Sequence, residues 1–235
     1  MYPAGLPAVS HSLRAGDPAF LQSDMFTTPI DETYLLTSND LLNPFDYTAI
    51  FGRTCPVEIE IGVGKGRFLL DEAVRRPDTG FLGIERVRKY LRMTHLRLNE
   101  LGCENVRLIC EDAGYVIRQL VVDNSIAAYH VYFPDPWPKR KHHKRRIIQP
   151  DFVRHLYRTL IPSGVLRICT DHEQYAHHID LAVKSLPEWE EVRTWSEMAR
   201  TEESSTATHF EVKYSREKRM VYWTECCCPN EKPIR

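Results

Sequence analysis

From about residue 56 the chain alternates short apolar runs with longer stretches of helical periodicity. Val57–Ile61 reads as a strand and is followed by a glycine-rich turn and a helix from about Gly66 to Arg75. Thr79–Ile84, Asn105–Cys110, Ser125–Phe133 and Val165–Thr170 read as four further strands, the last entered through a Ser163-Gly164 turn. Helices fall between and after them at about Arg88–Leu101, Tyr115–Val122, Pro150–Leu160 and Glu173–Leu186. This βαβαβαβαβα order predicts an α/β fold, a doubly wound, mostly parallel sheet covered by helices on both faces.

The two ends of the chain break that rhythm. Residues 1–30 are rich in Pro, Gly, Ser and Ala without periodicity and read as a flexible N-terminal arm. Trp189–Trp195 and Met220–Cys226 read as two late strands, which predicts a C-terminal antiparallel hairpin. Ser196–His209 between them is polar and reads as a long loop, of the kind that is usually functional or disordered. A single domain over residues 31–228 with a short tail at 229–235 is expected.

Composition narrows the class. The chain has 235 residues, 43% of them hydrophobic, enough for a buried core. No apolar run approaches the roughly 18 residues of a membrane span. Met1 to Phe20 lack the charged start and apolar block of a secretory leader. Seven cysteines, none in C-x-x-C spacing, fit reduced, mostly buried thiols in a cytoplasmic protein. Neighbours in the Cys226-Cys227-Cys228 run point to opposite faces of a strand, so no metal is expected there. The formal charge is −1, which on its own argues against a nucleic-acid partner.

The first chemical signal is Glu60-Ile61-Gly62-Val63-Gly64-Lys65-Gly66, between the first strand and the first helix. A dinucleotide fingerprint needs glycine where Arg67 stands, and the P-loop pattern is absent. The E-x-G-x-G-x-G present resembles motif I of class I S-adenosylmethionine-dependent methyltransferases. Glu85, Asp112 and Asp135 follow the second, third and fourth strands. Ligands of open parallel sheets bind outside the carboxyl ends of the strands, so Glu60 and these three acids line one crevice. Acids there suit a ribose diol, an adenine amino group, an ammonium and a cationic sulfonium.

The most specific segment is Phe133-Pro134-Asp135-Pro136-Trp137-Pro138, followed by the basic run Lys139 to Arg146. With Asn43-Pro44-Phe45-Asp46-Tyr47, Phe51-Gly52, Thr170-Asp171-His172-Glu173 and Thr208-His209-Phe210-Glu211, it resembles the tRNA (guanine-N7-)-methyltransferase family over roughly residues 42–226. The resemblance implies a Rossmann-like class I methyltransferase fold with a seven-stranded sheet. It also implies S-adenosylmethionine as methyl donor and N7 of a variable-loop guanosine in tRNA as acceptor.

By motif match, Glu60, Gly62, Gly64, Gly66, Glu85, Asp112 and Asp135 are expected at the donor, with Asp135 catalytic. Lys139, Asp171, Thr208, His209, Phe210 and Glu211 are expected at tRNA or guanine, and Lys144, Arg145 and Arg146 at phosphates. Guanine N7 carries a lone pair and no proton, so positioning rather than a catalytic base is required. A monomer or homodimer without metal, membrane or DNA is expected.

The basic run also revises the reading of charge. It holds six Lys/Arg and two His in eight residues; without it, the other 227 residues carry 25 Lys+Arg against 32 Asp+Glu. Near-neutrality is the sum of an acidic body and one basic lip, and such a lip neutralises phosphates. A small-molecule or protein methyltransferase of the same fold has no use for this block. A non-catalytic RNA-binding scaffold has no use for the intact glycine turn and acids.

Overall fold

The computed structural model describes residues 34–36, 40–41, 44–201 and 208–232. The predicted arm at 1–30 and Asn43 lie outside the described residues. One seven-stranded sheet runs through the rest. Its strands are β1 (Val57–Ile61), β2 (Gly80–Ile84), β3 (Val106–Ile109), β4 (Ile126–Tyr132), β5 (Leu160–Thr170), β6 (Glu191–Met198) and β7 (Met220–Cys227). The order is β3-β2-β1-β4-β5-β7-β6. β1 to β5 pair in parallel, and β7 is antiparallel to both β5 and β6. Strand order reverses beside β1, the switch point at which α/β sheets bind ligands.

Side-chain alternation sends the two halves of each strand to different helices. On one face Val57, Ile59 and Ile61 pack with Val116 of α4 (Ala113–Gln119), Leu156 of α5 (Pro150–Thr159) and Ile179 of α6 (Glu173–Lys184). On the other, Phe81 and Leu108 pack with Leu69 of α2 (Arg67–Arg75) and Leu91 of α3 (Arg88–Leu101). The short α1 (Tyr47–Phe51), capped by Asp46, packs against the first core. Each fully buried Leu or Ile contributes about 1.5–3 kcal/mol.

One polar row crosses the sheet. Arg76 donates to both oxygens of Glu58, at 2.6 and 2.8 Å. His130 Nε2 lies 2.9 Å from Glu58, and its Nδ1 2.9 Å from the Tyr132 hydroxyl. Burial alone would raise the Glu58 pKa, but the bonds from His130 and Arg76 outweigh it and hold it at about 2. Burial lowers the His130 pKa, so the ring is neutral, donating from Nε2 and accepting from Tyr132.

Three departures from the predicted elements have physical causes. β5 starts at Leu160 because Leu160 pairs with Ile126 before the register jumps to Ala128↔Val165; the predicted turn, with Ser163 at φ 59°, is an excursion inside the strand. β6 extends to Met198, into the predicted loop, because it is an edge strand exposed on most positions and needs no apolar alternation. His209–Arg216 forms a helix, α7, in which only Glu211 and Val212 are buried, too few to show a periodic stripe. The described part of the predicted tail docks on the body, where Lys232 donates to the carbonyls of Arg158 and Leu160. Among the described residues no helix is long and apolar enough to cross a membrane.

Candidate active site

The turn from β1 to α2 is closed by its neighbours. Gly62, Gly64 and Gly66 have φ of 84°, 55° and 74°. At Gly66 a side chain is excluded twice, since its Cβ would also stand 2.5 Å from Thr94 Cγ2 of α3. Thr94 Oγ1 donates to the Gly64 carbonyl at 3.3 Å and Arg97 to the Lys65 carbonyl at 3.0 Å. Glu85 closes the other side: one oxygen accepts from Gly64 N–H at 3.0 Å, the other from Val87 N–H at 2.8 Å. Each carboxylate oxygen keeps a further lone pair for a ligand hydroxyl.

Glu60 is 4% exposed, and its Oε2 has no hydrogen-bond partner. Burial, then the neighbouring charge of Glu85, pushes its pKa well above the usual carboxylate range. A buried acid of this kind regains its charge when a cationic group arrives, which fits it to an ammonium. Asp112 caps α4 through Tyr115 N–H at 3.1 Å and faces Arg86 at 3.6 Å.

After β4 the chain makes a strained turn. Phe133 and Trp137 have φ of 51° and 41°, on either side of the exposed Asp135. The flanking Pro134 and Pro136 fix their own φ, leaving the bend to these two aromatics. Arg146 holds the turn from below: it donates to the Pro136 carbonyl at 2.8 Å and lies 4.8 Å from the centre of the Tyr175 ring. It is 2% exposed, which corrects its expected place among the phosphate-facing cations. Lys139, Lys144 and Arg145 are exposed, with Arg145 over the Trp137 ring at 4.9 Å. The run Arg140–Arg145 is a 3₁₀ helix rather than an open loop.

The segment Thr208 to Glu211 is a capping box rather than part of a loop. Glu211 N–H donates to Thr208 Oγ1 at 3.0 Å, and Thr208 N–H to Glu211 Oε2 at 2.9 Å. Glu211 is fully buried, its Oε1 without a hydrogen bond and 3.8 Å from Arg200 Nε. Burial raises its pKa, against the pull of the Thr208 amide and Arg200.

Contacts join these distant segments. Lys65 Nζ lies 3.2 Å from His209 Nε2, setting the start of α7 against the glycine turn. Phe133 meets Phe210 at 5.9 Å and Tyr214 at 5.4 Å between ring centroids. Arg219 donates to Asp171 at 2.6 Å and covers the Tyr214 ring at 4.7 Å. Sequence reasoning missed Tyr214 and Arg219, which stand in no recognisable motif.

A family model described as "Putative methyltransferase" matches residues 54–224. The chain belongs to this methyltransferase family. Its relatives include a tRNA (guanine-N(7)-)-methyltransferase of Histophilus somni (strain 2336), 42% identical over 57% of this chain and 54% of the relative. Another, from Actinobacillus pleuropneumoniae serotype 5b (strain L20), is 38% identical over 72% of this chain and 67% of the relative. The chain spans about half the length of the first curated relatives it matches. Among solved structures, the 16S rRNA methyltransferase KamB aligns with a TM-score of 0.59 at 12% identity, over 78% of this chain and 92% of that chain. A 16S rRNA (adenine(1408)-N(1))-methyltransferase from Catenulisporales acidiphilia gives 0.55 at 12% identity, over 85% and 95%. These likenesses, with the strand order above, show the Rossmann-like class I methyltransferase fold predicted from sequence.

Proposed function

We propose that the protein transfers a methyl group from S-adenosylmethionine to N7 of a guanosine in the variable loop of tRNA. The observation that carries this reading is the meeting of the glycine turn with the Thr208–Glu211 cap through Lys65 and His209, beside the Asp135 turn. The activity for which the relatives are named supports it.

In this reading Glu60 receives the donor's ammonium, Glu85 its ribose hydroxyls and Asp112 its adenine. Bound there, the donor supplies an electrophilic methyl on a sulfonium. Asp135, exposed at the lip, accepts hydrogen bonds from the far edge of guanine and turns N7 inward. No residue removes a proton, because N7 has none to lose. The neighbouring carboxylates favour the positive charge that the base gains. Exposed Phe210, backed by the half-buried Phe133, offers a ring face to an unstacked base, as single-stranded RNA recognition requires. Lys139, Lys144 and Arg145 neutralise phosphates, and Asp171 positions α7 through Arg219. The same reading carries a single catalytic domain over residues 31–228, a cytoplasmic location, and a monomer or homodimer acting on tRNA without a metal.

The test is incubation with methyl-labelled donor and unmodified tRNA, followed by reduction and aniline treatment. Strand scission at a variable-loop guanosine is expected. Label incorporated without scission excludes N7, and no donor binding at all identifies a scaffold.

A further inference from the structure

The loop after β2 and the first turn of α3 carry a second group of cations. Arg86, Arg88 and Lys89 are all exposed, and the side chain of Arg86 is 75% accessible despite facing Asp112. No acid stands in the first turn of α3, and Arg88 and Lys89 form no ion pair among the described residues. Cations at a helix N-terminus oppose the helix field, by about 0.3–1 kcal/mol each. Two exposed hydrophobic side chains, Val87 at 47% and Tyr90 at 37%, are interleaved with them.

Placement gives this group its meaning. β2 and β4 flank β1, so their following loops stand on opposite sides of the glycine turn, about 10 Å apart at the ordinary strand spacing. The segment after β4 bears Lys144 and Arg145 in its 3₁₀ helix. Arg145 over the Trp137 ring and Arg146 on the Pro136 carbonyl tie this helix back to the turn at the end of β4. An acidic crevice therefore lies between two cationic banks, which suits a polyanion that presents one base downward while its backbone crosses the opening.

We propose that Arg86, Arg88 and Lys89 form a second phosphate-contact surface for the substrate RNA, across the crevice from Lys144 and Arg145. It rests on the tRNA reading above and adds where the backbone runs. The fit is electrostatic and independent of base sequence.

The test compares the salt dependence of tRNA binding for the wild type, for Arg88→Gln/Lys89→Gln and for Lys144→Gln/Arg145→Gln; Arg86 is left intact because it faces Asp112. Each double variant is expected to lower the slope of log affinity against log salt by about two, and the quadruple variant by about four. Donor affinity, measured on the same proteins, is expected to be unchanged for Arg88→Gln/Lys89→Gln. An unchanged slope for that variant, with a reduced one for Lys144→Gln/Arg145→Gln, overturns the second bank and leaves the function standing. A wild type that binds no tRNA overturns both. A loss of donor affinity in Arg88→Gln/Lys89→Gln also overturns the proposal, since it places those residues in the donor site.

Discussion

Lys65 and His209 stand 144 positions apart in the chain, yet the lysine Nζ and the imidazole Nε2 are 3.2 Å apart. Burial, then the charges of Lys65, Arg67, Arg97 and Arg216, lower the His209 pKa, so the ring is neutral and accepts a hydrogen bond from the ammonium. One bond thus ties the glycine turn to the helix bearing Phe210 and Glu211.

The sign of its pH dependence follows. A histidine whose folded pKa is lowered keeps its contact above the ordinary value of about 6.5, and loses it as pH falls through the lowered one. Methyl transfer to N7 requires no deprotonated base, so the acid limb of kcat/KM for tRNA is expected to come largely from His209. His209→Gln is expected to flatten that limb below about pH 6.5, the side to which the lowered pKa moves the titration. A limb of unchanged shape in the variant removes His209 from it.

Arg146 and Arg145 are adjacent in sequence and opposite in role. Arg146→Gln is expected to slow single-turnover methylation by roughly 10–100-fold, because the Asp135 turn is no longer held in its productive geometry. Its salt slope for tRNA binding is expected to stay unchanged. Arg146→Lys is not expected to rescue, since an ammonium lacks the planar fork and the face that covers Tyr175. Arg145→Gln is expected to lower the slope by about one with little effect on rate. Rapid-quench measurements beside binding at several salt concentrations separate the two.

Glu60 trades stability for binding. A carboxyl whose folded pKa is raised favours folding below its unfolded value, and that stability is lost as pH rises through the raised one. Glu60→Gln is therefore expected to raise the melting temperature of the ligand-free protein at pH 7, and to remove a downward slope above about pH 4.3. Donor affinity is expected to fall by at least tenfold, the loss of a charge-assisted bond worth about 1.5–3 kcal/mol. Thermal unfolding with and without S-adenosylmethionine measures both. An unaltered donor affinity places the ammonium elsewhere.

Asp135 is exposed between two residues with left-handed backbones, strain of the kind that gathers at functional sites. Asp135→Asn is expected to reduce the single-turnover rate by about 100-fold or more, the usual loss for a preorganised electrostatic contact. Turnover near that of the wild type would remove it from the reacting site.

Much of this site was legible in the chain itself. The glycine turn, the acids after β2, β3 and β4, and the basic run are contiguous signals whose spacing local geometry requires. The cluster Arg86, Arg88 and Lys89 was equally visible, but its weight came only from standing opposite the first. Glu211 was legible as a motif residue and not as a cap, because the polar α7 buries too little to show a period.

The sequence by itself determined the alternation of strands and helices, and with it a parallel sheet whose strand ends gather the acids. Periodicity is local, and each side chain of a strand faces one of two sides whatever lies there. The tertiary structure alone decided which cations face solvent, sending Arg145 outward and Arg146 into the core beneath Pro136. It also decided that His209 meets Lys65. Burial and pairing are properties of surroundings assembled from distant segments, and neighbouring residues of the same type can belong to opposite environments.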